Sequence, residues 1–415
     1  MHELIKHRRL VITLGFLYLA QGIPMGIAMD ALPAILRRVG TDLAALAFIP
    51  LVGLPWVVKF LWAPFVDNHW SVSLGRRRSW IIPMQVIVTL CLLALSLTGI
   101  TADNAGLCVA LLAVASLASA TQDIATDGMA AEHAGGSLLA NINAVQIAGV
   151  MGGFFLGGAG MMMLSGVLGQ QGALLIFTAV PAFSLILISR FRQPPRYHAD
   201  VRPDEAQASL LKTVRRSGAV RLLTLTLLSA VTAVSGFGLA KLFLTDAGWA
   251  LEDVGKAGMA GGMVTLVLGC GGGAWLIGKI GVWRAFSAGL LCALVSSLLW
   301  FAQSQGSVSV IMVAVCILFG SLSSGITSVA IMTAGMRFAS QAKQAGTDMT
   351  AVQSMRDIGE MACAMMLVSL TAAIGYTGGF VLAAVIALAA LLFTVANVRY
   401  QRRVQLSAER SGETE

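Results

Sequence analysis

The chain has 415 residues, 57% of them hydrophobic and 12% charged, with a mean hydropathy of +0.81 and a formal net charge of +8. A soluble domain is about half apolar and about a quarter charged. This composition therefore excludes a water-soluble enzyme or binding module, and the basic excess has to be read against a membrane before it is read as nucleic-acid binding.

Crossing a hydrocarbon core of about 30 Å takes about 20 apolar residues. Twelve such runs occur, at 10–30, 43–66, 80–100, 105–130, 137–164, 173–191, 222–245, 254–277, 283–302, 308–334, 349–373 and 379–397. No small-residue cleavage site follows the first, and Pro24, Met25 and Asp30 carry it onward, so it is expected to stay as a permanent helix rather than a signal peptide. The six cysteines all lie inside apolar runs without paired metal spacing, so neither disulfides nor a metal site is expected, and no cofactor either.

With both ends on one side, the tails and the loops of that side carry 22 of the 28 basic residues. Arg37, Arg38 and Lys256 lie on the opposite side. The positive-inside rule then places both termini in the cytoplasm, with no nucleic acid as partner. The longest break, with Pro194, Pro195 and Pro203, divides the chain into an N-terminal bundle at 1–191, a cytoplasmic linker at 192–219 and a C-terminal bundle at 220–415 with a short tail. Ser116-Leu-Ala-Ser119 recurs as Ser321-Leu-Ser-Ser324, and Ala144-Val-Gln146 as Ala351-Val-Gln353, at offsets of 205 and 207, as two parallel six-helix halves require. Gly149, Gly153 and Gly157, and Gly258 with Gly262, mark faces where helices pack closely.

Charges inside the apolar runs cost roughly 2.5 to 3.5 kcal/mol on insertion scales, so they are expected to face a cavity or a partner. Asp30 and Lys241, near the outer ends of the first and seventh runs, are candidates for an outer gate. They also fit two side chains snorkelling separately to the interface. A second group lies toward the cytoplasm: Lys59, Asp67, Gln122, Asp123, Asp127, Arg356, Asp357 and Glu360. Asp123 with Asp127, and Arg356 with Glu360, are four apart and share a helix face. Two carboxylates on one face repel, which makes one of them a candidate to carry a coupled proton at an inner gate. A static buried network fits the same residues.

Lys59-Phe-Leu-Trp-Ala-Pro64, Asp67, Gly75-Arg-Arg-Arg78-Ser-Trp80 and Gln122-Asp-Ile-Ala-Thr-Asp127 resemble the AmpG-like branch of the major facilitator superfamily, which includes muropeptide permeases and acetyl-coenzyme A carriers. The resemblance implies an all-α fold of twelve transmembrane helices in two pseudo-symmetric halves. It also implies a cytoplasmic brace made by Asp67, Gly75, Arg76, Arg77 and Arg78, whose arginines have topogenic charge as their alternative reading. The interval from Asp67 to Gly75 is longer than in the superfamily's usual loop. The glycine-rich stretch 149–160 lacks the proline of the antiporter signature, which argues against proton-driven export. Leu17-Tyr-Leu-Ala-Gln-Gly-Ile-Pro24 and Pro55-Trp-Val-Val-Lys59 look most like bacterial siderophore permeases of the rhizobactin and pyochelin type. That likeness implies a monomeric, proton-coupled importer of a ferric siderophore in the bacterial inner membrane, supplied by an outer-membrane receptor. A muropeptide or coenzyme A carrier is the alternative.

A solute path between the halves makes Phe16, Tyr18, Gln21, Met25, Gln122, Phe237 and Ser328 candidates for the pocket, although rings and methionines in membrane helices more often only pack. No ATP-binding loop occurs, so the energy must come from an ion gradient, the substrate gradient or a separate partner. A membrane-embedded acyltransferase would need a histidine or carboxylate beside a nucleophile, yet the five histidines fall in tails and loops.

Overall fold

A computed structural model describes residues 7–38, 49–133, 138–191, 207–233, 239–249, 251–306 and 308–412. The described chain is almost wholly helical, because in hydrocarbon each backbone N–H and C=O has to be satisfied within its own segment. Eight helices among the described residues are long and apolar enough to cross a membrane, with shorter apolar helices at Leu51–Leu61 and Ala219–Ala230. One of the eight, Leu138–Arg190, is 53 residues long and is broken at Gly169.

Packing divides the chain into two compact units, Met1–Ser217 with Gly335–Ser354, and Gly218–Ala334 with Met355–Glu415. Both carry the same backbone punctuation. Gly75 and Gly281, 206 positions apart, adopt φ of 86° and 85°, and Gly169 and Gly375, also 206 apart, adopt 72° and 74°. These left-handed conformations are open to glycine at little cost, so they mark where each half must turn sharply. The residues 192–206 expected in the linker lie outside the described residues.

In the first unit, the Arg8–Gly26 helix and the Leu138–Phe155 helix cross backbone to backbone. An added Cβ on Gly22 or Gly26 would strike the Val150 or Phe154 carbonyl oxygen, and one on Gly153 or Gly157 would strike those of Leu19 or Ile23. The glycine spacing thus serves the close approach expected of it. Each helix passes into a π-helical turn, Ile27–Ala31 and Leu156–Gly160, where Gly158 stands against the Asp30 carboxylate.

The second unit has a comparable backbone contact between Gly269 and Gly325. Its core gathers Trp300 and Phe380, stacked at 5.9 Å, with Phe243 edge-on to both.

Candidate functional site

The run at 43–66, expected as one continuous span, is instead broken over its described part. A 3-10 turn at Ile49–Gly53, a short helix at Leu54–Val58, a second 3-10 turn at Lys59–Leu61 and a helix at Ala63–Asn68 follow one another. Pro55 and Pro64 each open one of the short helices, because a residue without an N–H fits the first turn and interrupts a helix elsewhere. Hydropathy does not register such a break. Its consequence is the 3-10 turn at Lys59, whose side chain is only 2% exposed.

The Lys59 ammonium donates to Asp123 Oδ2 and to Gln353 Oε1, and lies 5.2 Å from the centre of the Trp56 ring. One turn along the Ala105–His133 helix, Asp127 is fully buried and accepts from three neutral groups. Tyr18 Oη and Gln146 Nε2 donate to its Oδ1 at 2.8 and 2.7 Å, and Gln353 Nε2 donates to its Oδ2. The two glutamines related by the internal repeat therefore grip opposite oxygens of one carboxylate. Beside them Gln122 is fully buried with neither amide atom bonded, and the carbonyl oxygens of Gln21 and Gln146 are also without a partner. A deep polar site with unused donors and acceptors can receive a polar solute or water.

A second network surrounds the loop that carries the three arginines. Arg77 is fully buried, donating from Nη1 to Asp67 Oδ1 at 2.5 Å and from Nε to both Glu132 oxygens at 3.1 Å. Arg76 donates to the Asp67 carbonyl at 3.0 and 3.2 Å. The other Asp67 oxygen accepts from the Thr347 amide at 2.6 Å, in the first turn of the helix that begins at Ala345, where the helix dipole favours an anion. Burial alone would raise the proton affinity of Asp67, but Arg77, Arg76 and the Thr347 amide outweigh it and hold the carboxyl below its ordinary range. For Arg77, burial opposes the charge, and Glu132 and Asp67 more than restore it. Gly128 leaves room for the guanidinium, since a Cβ there would meet its carbon. Gly346 likewise lets the helix start approach to where a Cβ would stand 3.0 Å from Arg77 Nη1 and from Asp67 Oδ1. Arg78 donates to the Ser189 carbonyl at 2.8 Å.

The described part of the expected linker up to Ser217 carries the short Leu210–Arg215 helix and is fastened to the same unit. Asn68 and Ala208 exchange two hydrogen bonds of 3.0 and 2.6 Å. Asp348 accepts from Thr213 and Gln344 at 2.7 Å and from Arg216.

Of the residues expected at an inner gate, those in the first unit fall into two groups. Lys59, Asp123 and Asp127 come together, and Asp67 joins the arginine loop. Arg356 pairs with Glu360 at 2.7 Å within the second unit, one residue from Asp357. Of the pocket candidates, Tyr18 is a ligand of Asp127, and Gln21 donates to Thr126 at 3.5 Å. Met25 lies near Gly53, Phe16 packs edge-on against Phe183 at 4.8 Å, and the Ser328 hydroxyl donates to its own helix at 2.6 Å. Phe237 lies outside the described residues, and Lys241 falls on the Leu239–Asp246 helix of the second unit. Sequence reasoning missed Gln353, Gln146, Glu132 and Thr347 as members of these networks. For the two glutamines the signal was present, as the repeated Ala-Val-Gln, and had been read only as symmetry.

Comparison with known proteins places this geometry. Residues 10–106 match the family model described as acetyl-coenzyme A transporter 1. An uncharacterized Schizosaccharomyces pombe protein is 32% identical over 158 residues, covering 36% of this chain and 30% of that one. The anhydromuropeptide permease of Escherichia coli is 26% identical over 289 residues, covering 66% of this chain and 56% of the permease. This chain therefore spans only 30% and 56% of the length of these two relatives. Among solved structures, the human organic anion transporter MFSD10 superposes with a TM-score of 0.72 at 18% identity, covering 94% of this chain and 99% of that one. The major facilitator superfamily transporter FucP, in its outward conformation, gives 0.69 at 15%, covering 92% and 97%. These likenesses agree with the all-helical architecture, and the chain has the fold of the major facilitator transporters.

Proposed function

We propose that this chain is a secondary transporter that carries a muropeptide-like solute across the membrane by alternating access, coupled to protons through Asp127. The observation that carries the coupling role is the division of labour between two carboxylates one turn apart. Asp123 is matched by the Lys59 ammonium, whereas Asp127 is held by a phenol and two amides. A proton can therefore arrive at or leave Asp127 without breaking the ion pair beside it. Transport is supported by the fold, by the buried polar site in a membrane bundle, and by relatives whose names are those of permeases and transporters.

The substrate class follows the permease match, which covers 66% of this chain. The family match at residues 10–106 favours acetyl-coenzyme A as the second reading. Ferric-siderophore import, expected from the Leu17–Pro24 and Pro55–Lys59 stretches, gains no support from these relatives. The test is uptake into proteoliposomes with an imposed pH gradient, offered labelled anhydromuropeptide, acetyl-coenzyme A or a ferric siderophore. Gradient-dependent accumulation of unchanged anhydromuropeptide, abolished by Asp127→Asn, is expected. Accumulation of another solute overturns the substrate class, and full gradient-driven uptake by Asp127→Asn overturns the coupling role.

A further inference from the structure

A cleft of about 630 Å³ opens on the first unit where the start of the Arg8–Gly26 helix meets the end of the Met161–Arg190 helix. Its lining is graded. Arg9 and Arg190 lie at the helix ends, and Ile12 and Leu187 stand three residues further into their respective spans. Continuing along the same two helices, Phe16 meets Phe183 edge-on at 4.8 Å. Ile12 and Phe183 are nearly half exposed, so the apolar strip is open to whatever surrounds the bundle. Both arginines are exposed, and no ion pair joins either to an acidic side chain among the described residues. The Arg8–Gly26 helix also begins without an acidic residue in its first turn or a side-chain cap, which leaves amide donors and the positive end of its dipole at that level.

We propose that this cleft binds an anionic phospholipid, with its phosphate between Arg9 and Arg190 and an acyl chain along Ile12, Leu187 and Phe183. Two guanidiniums present planar forks of donors that match phosphate oxygens, and the apolar strip that follows them has the polarity of a lipid tail. A small soluble anion would leave that strip uncovered. A zwitterionic lipid would bring its own ammonium to a site already doubly positive, so net negative headgroups are selected.

The test uses the full chain in mild detergent, titrated with phosphatidylglycerol or with phosphatidylcholine of the same acyl chains, with lipid retention read by intact-complex mass spectrometry and by thermal unfolding. Phosphatidylglycerol is expected to be retained in preference. Arg9→Gln with Arg190→Gln should erase that preference, at about fivefold in affinity per arginine, the equivalent of about 1 kcal/mol for each basic side chain at an anionic surface. Lys279→Gln with Arg284→Gln removes the same charge from exposed positions of the second unit and should leave it intact. Leu187→Trp, which fills the cleft and keeps its charge, should also lower retention. The proposal is overturned if the wild type shows no preference, or if the cleft and control variants lose it equally. It is also overturned if Leu187→Trp retains the lipid fully, or if millimolar inorganic phosphate alone reproduces the stabilisation.

Discussion

Among the described residues of the unit formed by Met1–Ser217 and Gly335–Ser354, six charged side chains are buried: Lys59, Asp67, Arg77, Asp123, Asp127 and Asp348. Among the described residues of Gly218–Ala334 and Met355–Glu415, the buried polar side chains are hydroxyls and a single amide, Gln303. The backbones repeat closely, with positive-φ glycines 206 positions apart, yet the chemistry does not. Trp283 stands where the repeat would place a second Arg77. At the offset of the Ser-Leu repeat, Ser328 and Met332 stand where it would place a second Asp123 and Asp127. Symmetry of this kind is a requirement of the fold, since both halves have to turn and pack alike. The buried charges instead gather in one unit.

The largest expected effect tests whether buried charge is structurally binding in one unit alone. Arg77→Met leaves Asp67 and Glu132 with only the more distant Arg76, at 3.5 and 3.8 Å, and should cost about 3–5 kcal/mol, whereas Trp283→Met at the equivalent position should cost about 1 kcal/mol. Equal losses in thermal unfolding would erase the contrast between the units.

Next come the two glutamines that hold Asp127. Gln353→Leu and Gln146→Leu should each remove about 1.5–3 kcal/mol, as expected for hydrogen bonds to a charged group. Gln353 should cost more, because it also accepts from Lys59. The double variant should lose measurably less than the sum in a double-mutant cycle, since both act on one carboxylate.

A smaller effect appears on acidification. The folded Asp67 carboxyl is held below its unfolded value of 3.8, so its contribution is complete above that pH and is lost as pH falls through the folded value. Unfolding temperature followed from neutral pH to about pH 3 should show an acid limb that Asp67→Asn flattens. A limb of unchanged slope in that variant would assign acid lability to another group.

The smallest effect is expected in the second unit. Arg356→Met breaks a pair spaced four apart on one helix, with Glu360 a third exposed, and should change stability by about 0.3–0.5 kcal/mol. A loss near that of Arg77→Met would show that the second unit also depends on an internal charge.

Much of this was legible in one dimension. Apolar runs of bilayer length, glycines at intervals of four on 149–157, the i, i+4 carboxylates Asp123 and Asp127, and the repeated Ala-Val-Gln all follow from helical periodicity, which is local. Pro50, Pro55 and Pro64 also announced the broken helix around Lys59, but a hydropathy window counts apolar atoms and is blind to missing N–H donors. What only the tertiary structure decided is the choice of partner. Asp67 turned to Arg77 and to a helix start 280 residues away, and Asp127 was gripped by Gln353, 226 residues away. Burying a charge is tolerable only where oppositely charged or hydrogen-bonding groups converge in three dimensions, and that convergence is set by how helices pack, which no spacing along the chain encodes.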